Sequence, residues 1–403
     1  MTPQQRKVVV AGFLGWALDA FDFFILVFTL PAIAKEFNVN VPDVAHAIFL
    51  TLAMRFIGAY LFGRLGDKFG RKPILALNIV CYSVLGAAAA FAPTLGIFLA
   101  VRAVFGIAMG GEWGLGSSLT METIPPQSRG MVSGILQCGY PTGYLLASIV
   151  FGIFYDQTVF GVTLGWRAMF LFSLLPAGLV LFIRTHVPES PAFMQARREP
   201  RPAFFATLAA NWRLSLFAVV LMMFFNLFSH GTQDLYPVFL QKQHRFGHHT
   251  VSLILIAANL GAIAGGIFFG ALSEKIGRVN AITIASLLAL PLIPLWAYGS
   301  SAAALAAGAF MMQIAVQGAW GVIPAHLNEL APGPVRATLP GFVYQIGNFL
   351  ASYNGPLQAR FAEAPGHSYS EGLAIVAGFV AVSLAIAIRF SPERRGGVMT
   401  LTD

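Results

Sequence analysis

Apolar runs of about twenty residues, the length a helix needs to cross a bilayer, recur from near Val8 to near Ile388 with only short polar breaks between them. A backbone in lipid must satisfy its own hydrogen bonds, so such a chain is restricted to helices. Runs of that length predict about twelve spans, beginning near residues 8, 44, 73, 95, 130, 167, 213, 250, 280, 303, 337 and 370. Composition agrees: charged residues make up 10% and hydrophobic ones 57%, whereas a soluble domain carries about 25% charged residues. The first run is too long and has the wrong flank for a cleaved signal peptide, so it is expected to remain as a helix. Cys81 and Cys138 both fall inside predicted spans. Without ligand spacing they read as packing residues, neither a disulfide nor a metal site.

The net charge of +8 is not a nucleic-acid footprint, because the basic residues do not form one stripe. With spans alternating from a cytoplasmic N-terminus, 18 of the 25 lysines and arginines fall in inside loops and helix ends, five fall outside, and Arg55 and Arg102 lie within spans. The positive-inside rule then puts both termini in the cytoplasm of a multi-pass plasma-membrane (inner-membrane) protein. The expected partners are the lipid bilayer and a small solute, with no nucleic acid, cofactor or metal. A monomer is expected.

The second constraint is an internal repeat. "GRLGDKFGRK" (63–72) and "GALSEKIGRV" (270–279) are displaced by 207 positions. The same displacement carries Gly111 to Gly318, Trp113 to Trp320, Glu122 to Glu329, Arg129 to Arg336, Gly134 to Gly341 and Asp19 to Asn226. A single offset across loops and helices implies two six-helix halves in the same orientation, a parallel repeat. The expected division is 1–187 and 213–390, a cytoplasmic linker at 188–212 and a tail at 391–403. Gly63, Asp67, Gly70, Arg71 and Lys72 resemble the major facilitator signature between helices 2 and 3, and the resemblance covers essentially the whole chain. It implies the major facilitator fold, two bundles related by pseudo-twofold symmetry. Gly63, Asp67, Arg71, Glu122, Arg129, Glu274, Arg278, Glu329 and Arg336 then read as gating groups: glycines admit close helix approach, and acid–base pairs form latches that break when the halves rock. Glu122 with Arg129 and Glu329 with Arg336 are the expected latches one loop further on. Setting topology and capping helices is the plainer role for the same charges.

At mid-depth, ionisable groups are costly, at least about 3 kcal/mol each. Asp19 and Asp22 lie three apart near the middle of span 1, and Arg55 lies in the middle of span 2. Asn226, His230, Gln233 and Asp234 in "NLFSHGTQDLYP" form one helical stripe in span 7, and this stretch reads as a helix face, not a loop. Gln345, Asn348 and Ser352 form another stripe in span 11. Four helices thus carry polar groups at similar depth, which should face one another or a wet cavity. Ser229, Thr232 and Ser352 read more simply as bonds between helices. Arg102 and Glu112 lie ten residues apart in span 4, and either is a candidate partner for an acid on a neighbouring helix.

"NLFSHGTQDLYP" resembles the helix-7 signature of the sialate:proton symporter family, especially its lactate-permease branch. Asn226, Ser229, His230, Gln233 and Asp234 match, while Val238 replaces the signature's final threonine. "DAFDFF" and "LAMRFIGA" are similar to the same branch, and Arg102 resembles a helix-4 arginine of proton-coupled members. The resemblance implies substrate-binding roles for Arg55, Asn226, His230, Gln233, Tyr344, Gln345 and Asn348. It implies proton-coupling roles for Asp19, Asp22, Arg102, Glu112, His230 and Asp234. The chemistry suits a small carboxylate such as lactate or pyruvate: a guanidinium can hold one through two parallel hydrogen bonds, and amides can bond a 2-hydroxyl or 2-oxo group. Moving one proton with the anion removes a membrane-potential cost of about 2.3 kcal/mol per 100 mV. If Arg55 transfers its charge to the substrate, a neighbouring acid is freed to take that proton; which acid this is, the sequence leaves open.

Symport of a sugar acid or an aromatic acid is the nearest alternative, since the gating motifs would be the same. "GYPTGY" (139–144) faintly resembles the turn motif of drug exporters, but a drug cavity would need less fixed polarity. No HExxH, GxSxG or Walker pattern is present, so enzymatic chemistry is not expected. His244, His248 and His249 cluster between spans 7 and 8 and read as solvated.

Overall fold

The computed structural model describes residues 1–39, 41–155, 158–159, 162–195 and 204–394. Arg197, Arg198, Arg201 and Arg395, four of the 18 inside cations, lie outside the described residues with most of the tail 391–403. Among the described residues, ten helices are long and apolar enough to cross a bilayer: Pro3–Leu30, His46–Phe69, Arg71–Phe91, Leu95–Thr123, Trp166–His186, Trp212–Lys242, His249–Ile276, Arg278–Tyr298, Ala302–Leu330 and Tyr369–Ile388. These are spans 1–4, 6–10 and 12. The fifth and eleventh spans are each built from two shorter helices, Arg129–Gln137 with Gly139–Phe154 and Leu339–Ala351 with Asn354–Ala362. Pro141 lacks the N–H that would bond back to Gln137, which accounts for the break in span 5. Two-residue strands, Thr158–Val159 and Val162–Thr163, pair antiparallel between spans 5 and 6.

Local chemistry sets several ends. Thr2 and Gln5 form a capping box at the start of span 1, and Ser368 and Glu371 form another at span 12. The polar stripe of span 7 is helical through Gln233, but the helix ends there and resumes at Tyr236. Pro237 cannot donate to the Gln233 carbonyl, so Asp234 stands at a break and not within a continuous helix face.

Spans 1–6 and 7–12 form two halves, which meet along span 2 against span 11 and along span 5 against spans 8 and 10. Backbone contact there depends on glycine. A Cβ at Gly134 would stand 2.2 Å from the Gly266 carbonyl oxygen, so the span 5–span 8 seam admits no side chain at this point. The loops after spans 2 and 8 reverse through Gly70 (φ 112°) and Gly277 (φ 92°), again 207 positions apart, in a region that side chains rarely adopt. The end of the molecule carrying these two loops is called the basic end below.

Candidate functional site

Between the halves lies a chamber with about 460 Å³ of non-atom space, part of it continuous with solvent. Asp19, Arg55, Gln137 and Tyr140 line it from the first half, and Asn226, His230, Gln317 and Asn348 from the second. On the side toward the basic end, Tyr344 is ringed by Trp113, Trp320 and Trp16, at centroid distances of 4.9, 5.5 and 6.3 Å. These rings form a floor. On the opposite side Asp234 is 47% exposed at its side chain, so the chamber opens away from the basic end.

Arg55 is 4% exposed. Its Nη2 donates to Asp19 Oδ2 at 3.4 Å and to the Met109 sulfur at 3.0 Å, while its Nε has no partner among the described residues. A long ion-pair contact and a weak sulfur acceptor leave much of the guanidinium's donor capacity free toward the chamber. Across the chamber, His230 faces Asp234 through Nδ1 at 3.1 Å and Asn348 Oδ1 through Nε2 at 3.1 Å. Asn226 donates to the Met222 carbonyl at 2.8 Å and to the Tyr344 carbonyl at 3.4 Å, so its amide ties span 7 to span 11 while it lines the chamber.

Behind Asp19 the first half holds a buried charged layer. Asp22, Arg102 and Glu112 are at most 1% exposed, and neither the Asp22 oxygens, the Glu112 oxygens nor the three Arg102 nitrogens form a hydrogen bond among the described residues. The Arg102 guanidinium lies 3.9 Å from the Phe105 ring centre, a cation–π contact that partly replaces lost hydration. Gly15 makes room for Glu112: a Cβ there would stand 2.3 Å from its Oε1. Of the two span-1 acids, Asp19 alone lines the chamber; Asp22, three residues on, is turned into this layer. Three carboxyls therefore share two guanidinium groups.

Two residues of the expected binding set lie elsewhere. Gln345 accepts a bond from Asn348 at 3.3 Å and does not line the chamber. Gln233 donates to Gln313 at 2.8 Å beside a second cavity. The three small hydroxyls also diverge. Ser229 accepts from Gln317 at 3.5 Å, a bond between helices, whereas Thr232 and Ser352 donate to carbonyls of their own helices.

At the basic end the charges form a twofold pattern. Arg71 pairs with Glu122 at 3.1 Å and Arg278 with Glu329 at 3.0 Å. Asp67 and Glu274 join the same arginines from four residues before, at 3.4 and 3.2 Å. Both acids also cross between the halves. Asp67 accepts from the Ala337 N–H and the Thr338 hydroxyl, and Glu274 accepts from the Gly130 N–H. Every equivalent position is displaced by 207. The pairing differs from the expected latches because Arg71 and Arg278 follow the left-handed glycines directly and turn back into their own half, where they meet Glu122 and Glu329. Arg129 donates instead to the Met121 carbonyl at 3.1 Å, and Arg336 to the Ala331 carbonyl at 3.3 Å.

The sequence profile of the Major Facilitator Superfamily matches residues 12–356. The chain belongs to the major facilitator superfamily. It is a membrane transport protein. Among curated relatives, a carboxylic acid transporter protein homolog of Saccharomyces cerevisiae is 30% identical over 90% of this chain, which spans 62% of that relative's length. A probable 4-methylmuconolactone transporter of Cupriavidus pinatubonensis is 30% identical, covering 87% of this chain and 82% of the relative. The sialic acid transporter NanX of Escherichia coli is 28% identical, covering 86% and 85%. Among solved structures, the proton:xylose symporter XylE bound to 6-bromo-6-deoxy-D-glucose superposes with a TM-score of 0.82 at 19% identity, covering 98% of each chain. That likeness speaks for the facilitator fold alone.

Within this facilitator, the chamber uses residues that ionisable groups and stripes did not reveal: Trp16, Gln137, Tyr140 and Gln317. Gln137 had a signal, since it is the 207-shift counterpart of Tyr344. Trp16 and Tyr140 had none, because an aromatic residue in an apolar run looks like core.

Proposed function

We propose that this facilitator is a proton-coupled symporter of small organic monocarboxylates such as lactate and pyruvate. One observation carries the reading: Arg55, held loosely by Asp19, faces Asn226, His230 and Asn348 across a chamber shared by both halves. A substrate carboxylate can take two parallel charge-assisted bonds from the guanidinium and displace Asp19. Among the described residues, the layer behind holds two carboxyls, Asp22 and Glu112, against one guanidinium, Arg102, so no cation is left there to neutralise the displaced Asp19. A proton does so. Asp19 is therefore the acid that exchanges Arg55 for H⁺, and anion and proton enter the occluded state together, removing the electrical cost of anion uptake. Relatives named as carboxylic acid and sialic acid transporters support the same substrate class.

The same reading assigns the basic end to the cytoplasm of the plasma membrane, with both termini inside, on the excess of lysine and arginine there. The moving bodies are 1–187 and 213–390, linked by 188–212, and the gating groups at the basic end hold the cytoplasmic side shut while the chamber is open outward.

Counterflow in proteoliposomes with labelled lactate, pyruvate, acetate, succinate and sialic acid tests the class, and substrate-driven alkalinisation outside vesicles tests the coupling. Asp19→Asn should retain exchange of unlabelled for labelled substrate but lose accumulation driven by a pH gradient. Accumulation that survives in Asp19→Asn sinks the coupling mechanism, and ATP hydrolysis independent of any gradient sinks secondary transport.

A further inference from the structure

The second cavity, about 390 Å³ of non-atom space, lies against the same helix faces as the chamber. On span 5, Tyr140 lines the chamber and Tyr144 the cavity; on span 7, Ser229 and Gln233; on span 10, Gln317 and Gln313. Each pair is four residues apart, so the cavity is stacked directly on the chamber, about 5–6 Å further from the basic end. Span 8 adds Asn259, and Trp296 closes the wall.

Its chemistry is unlike that of the chamber. None of the described residues that line it is charged. Gln313 accepts from Gln233 Nε2 at 2.8 Å, which leaves its own amide N–H groups to donate. Asn259 donates to the Leu255 carbonyl of its own helix at 3.0 Å, which leaves its side-chain oxygen to accept. Tyr144 adds a hydroxyl whose ring is held flat on Phe24 at 4.0 Å. Three amides and a phenol around a tryptophan wall match a chain of hydroxyl groups, each able to donate and accept. A second carboxylate would meet no cation there. An alkyl tail would strand the amides without partners, a cost that polar recognition sites exploit for discrimination.

We propose that this cavity is a neutral subsite for the tail of the same substrate, so that the transporter favours monocarboxylates bearing a hydroxylated tail over both shorter and purely apolar acids. The inference rests on the carboxylate reading of Arg55 and goes beyond it by fixing the other end of the substrate.

Competition against labelled lactate in proteoliposomes tests it, with gluconate and hexanoate as six-carbon probes that differ in their hydroxyls. Gluconate should compete at a concentration roughly tenfold below that needed for hexanoate, the equivalent of one or two hydrogen bonds. Asn259→Leu, which removes a hydrogen bond only within its own helix, should reduce this preference about tenfold, and Gln313→Leu should do the same. If gluconate and hexanoate compete equally, or both variants weaken lactate and gluconate alike, the subsite is overturned. If lactate exchanges while gluconate is refused, the subsite falls and the carboxylate reading stands. If no carboxylate exchanges, both fall.

Discussion

Arg55 is useful because it is underbonded. A guanidinium has five donors in a fixed fork, and here it spends them on one oxygen at 3.4 Å and one sulfur. Lysine at this position would keep the charge and lose the fork. Arg55→Lys should therefore raise the half-saturating substrate concentration by roughly tenfold or more, and Arg55→Gln should abolish saturable uptake, both read by initial rates in proteoliposomes. The proposed exchange of Asp19 for substrate implies a pH dependence. If a proton is taken up when the anion binds, apparent affinity should rise as external pH falls, and in Asp19→Asn this slope should flatten. The ionisable residues of this site were legible in the sequence because charge at mid-depth has no cheap structural explanation. Trp16, Gln137, Tyr140 and Gln317 were not, since neutral and aromatic side chains are ordinary in membrane helices and only their placement in space makes them a lining.

Among the elements, spans were easier to read than their interruptions. Hydropathy and length set the span starts to within about three residues from span 2 onward, with span 3 at Arg71 and span 12 at Tyr369, whereas span 1 begins at Pro3, well before the expected Val8. The breaks at Cys138 and Asp234 depend on single prolines within otherwise apolar or striped runs, and proline in a membrane helix is often accommodated without a break. The seams depend on glycine. Gly134→Val should prevent spans 5 and 8 from closing, because its side chain would meet the Gly266 backbone at 2.2 Å. The expected result is a protein open toward the basic end, detected as faster alkylation of a cysteine introduced at Ser133 by a reagent added from that side. At the basic end, Arg71 is fully buried between Asp67 and Glu122. Arg71→Ala leaves both acids without their cation, and a loss of about 3–5 kcal/mol is expected, seen as a lower unfolding temperature in detergent.

For the molecule as a whole, the repeat carried more information than any motif. An offset of 207 was enough to infer two equivalent halves, and the basic end obeys it down to hydrogen bonds: Asp67 to the Ala337 N–H, Glu274 to the Gly130 N–H. Partner choice was less legible, because a repeat in sequence says which residues are equivalent and not which arginine an acid will reach. Orientation offers a further check on the whole chain. A green fluorescent protein fused after Asp403 should fluoresce and a periplasmic phosphatase fused there should stay inactive; the reverse result would invert the proposed topology.

The short helix Phe204–Ala210 belongs to the connection between the halves, yet its first residue is 2% exposed. Phe204 packs on Tyr60 of span 2 at 5.3 Å and on Phe342 of span 11 at 5.4 Å. The tether is thus keyed into the seam between the halves: one benzyl group sits between span 2 and span 11, and any tilt that parted them would first have to pull this wedge loose or carry it to one side.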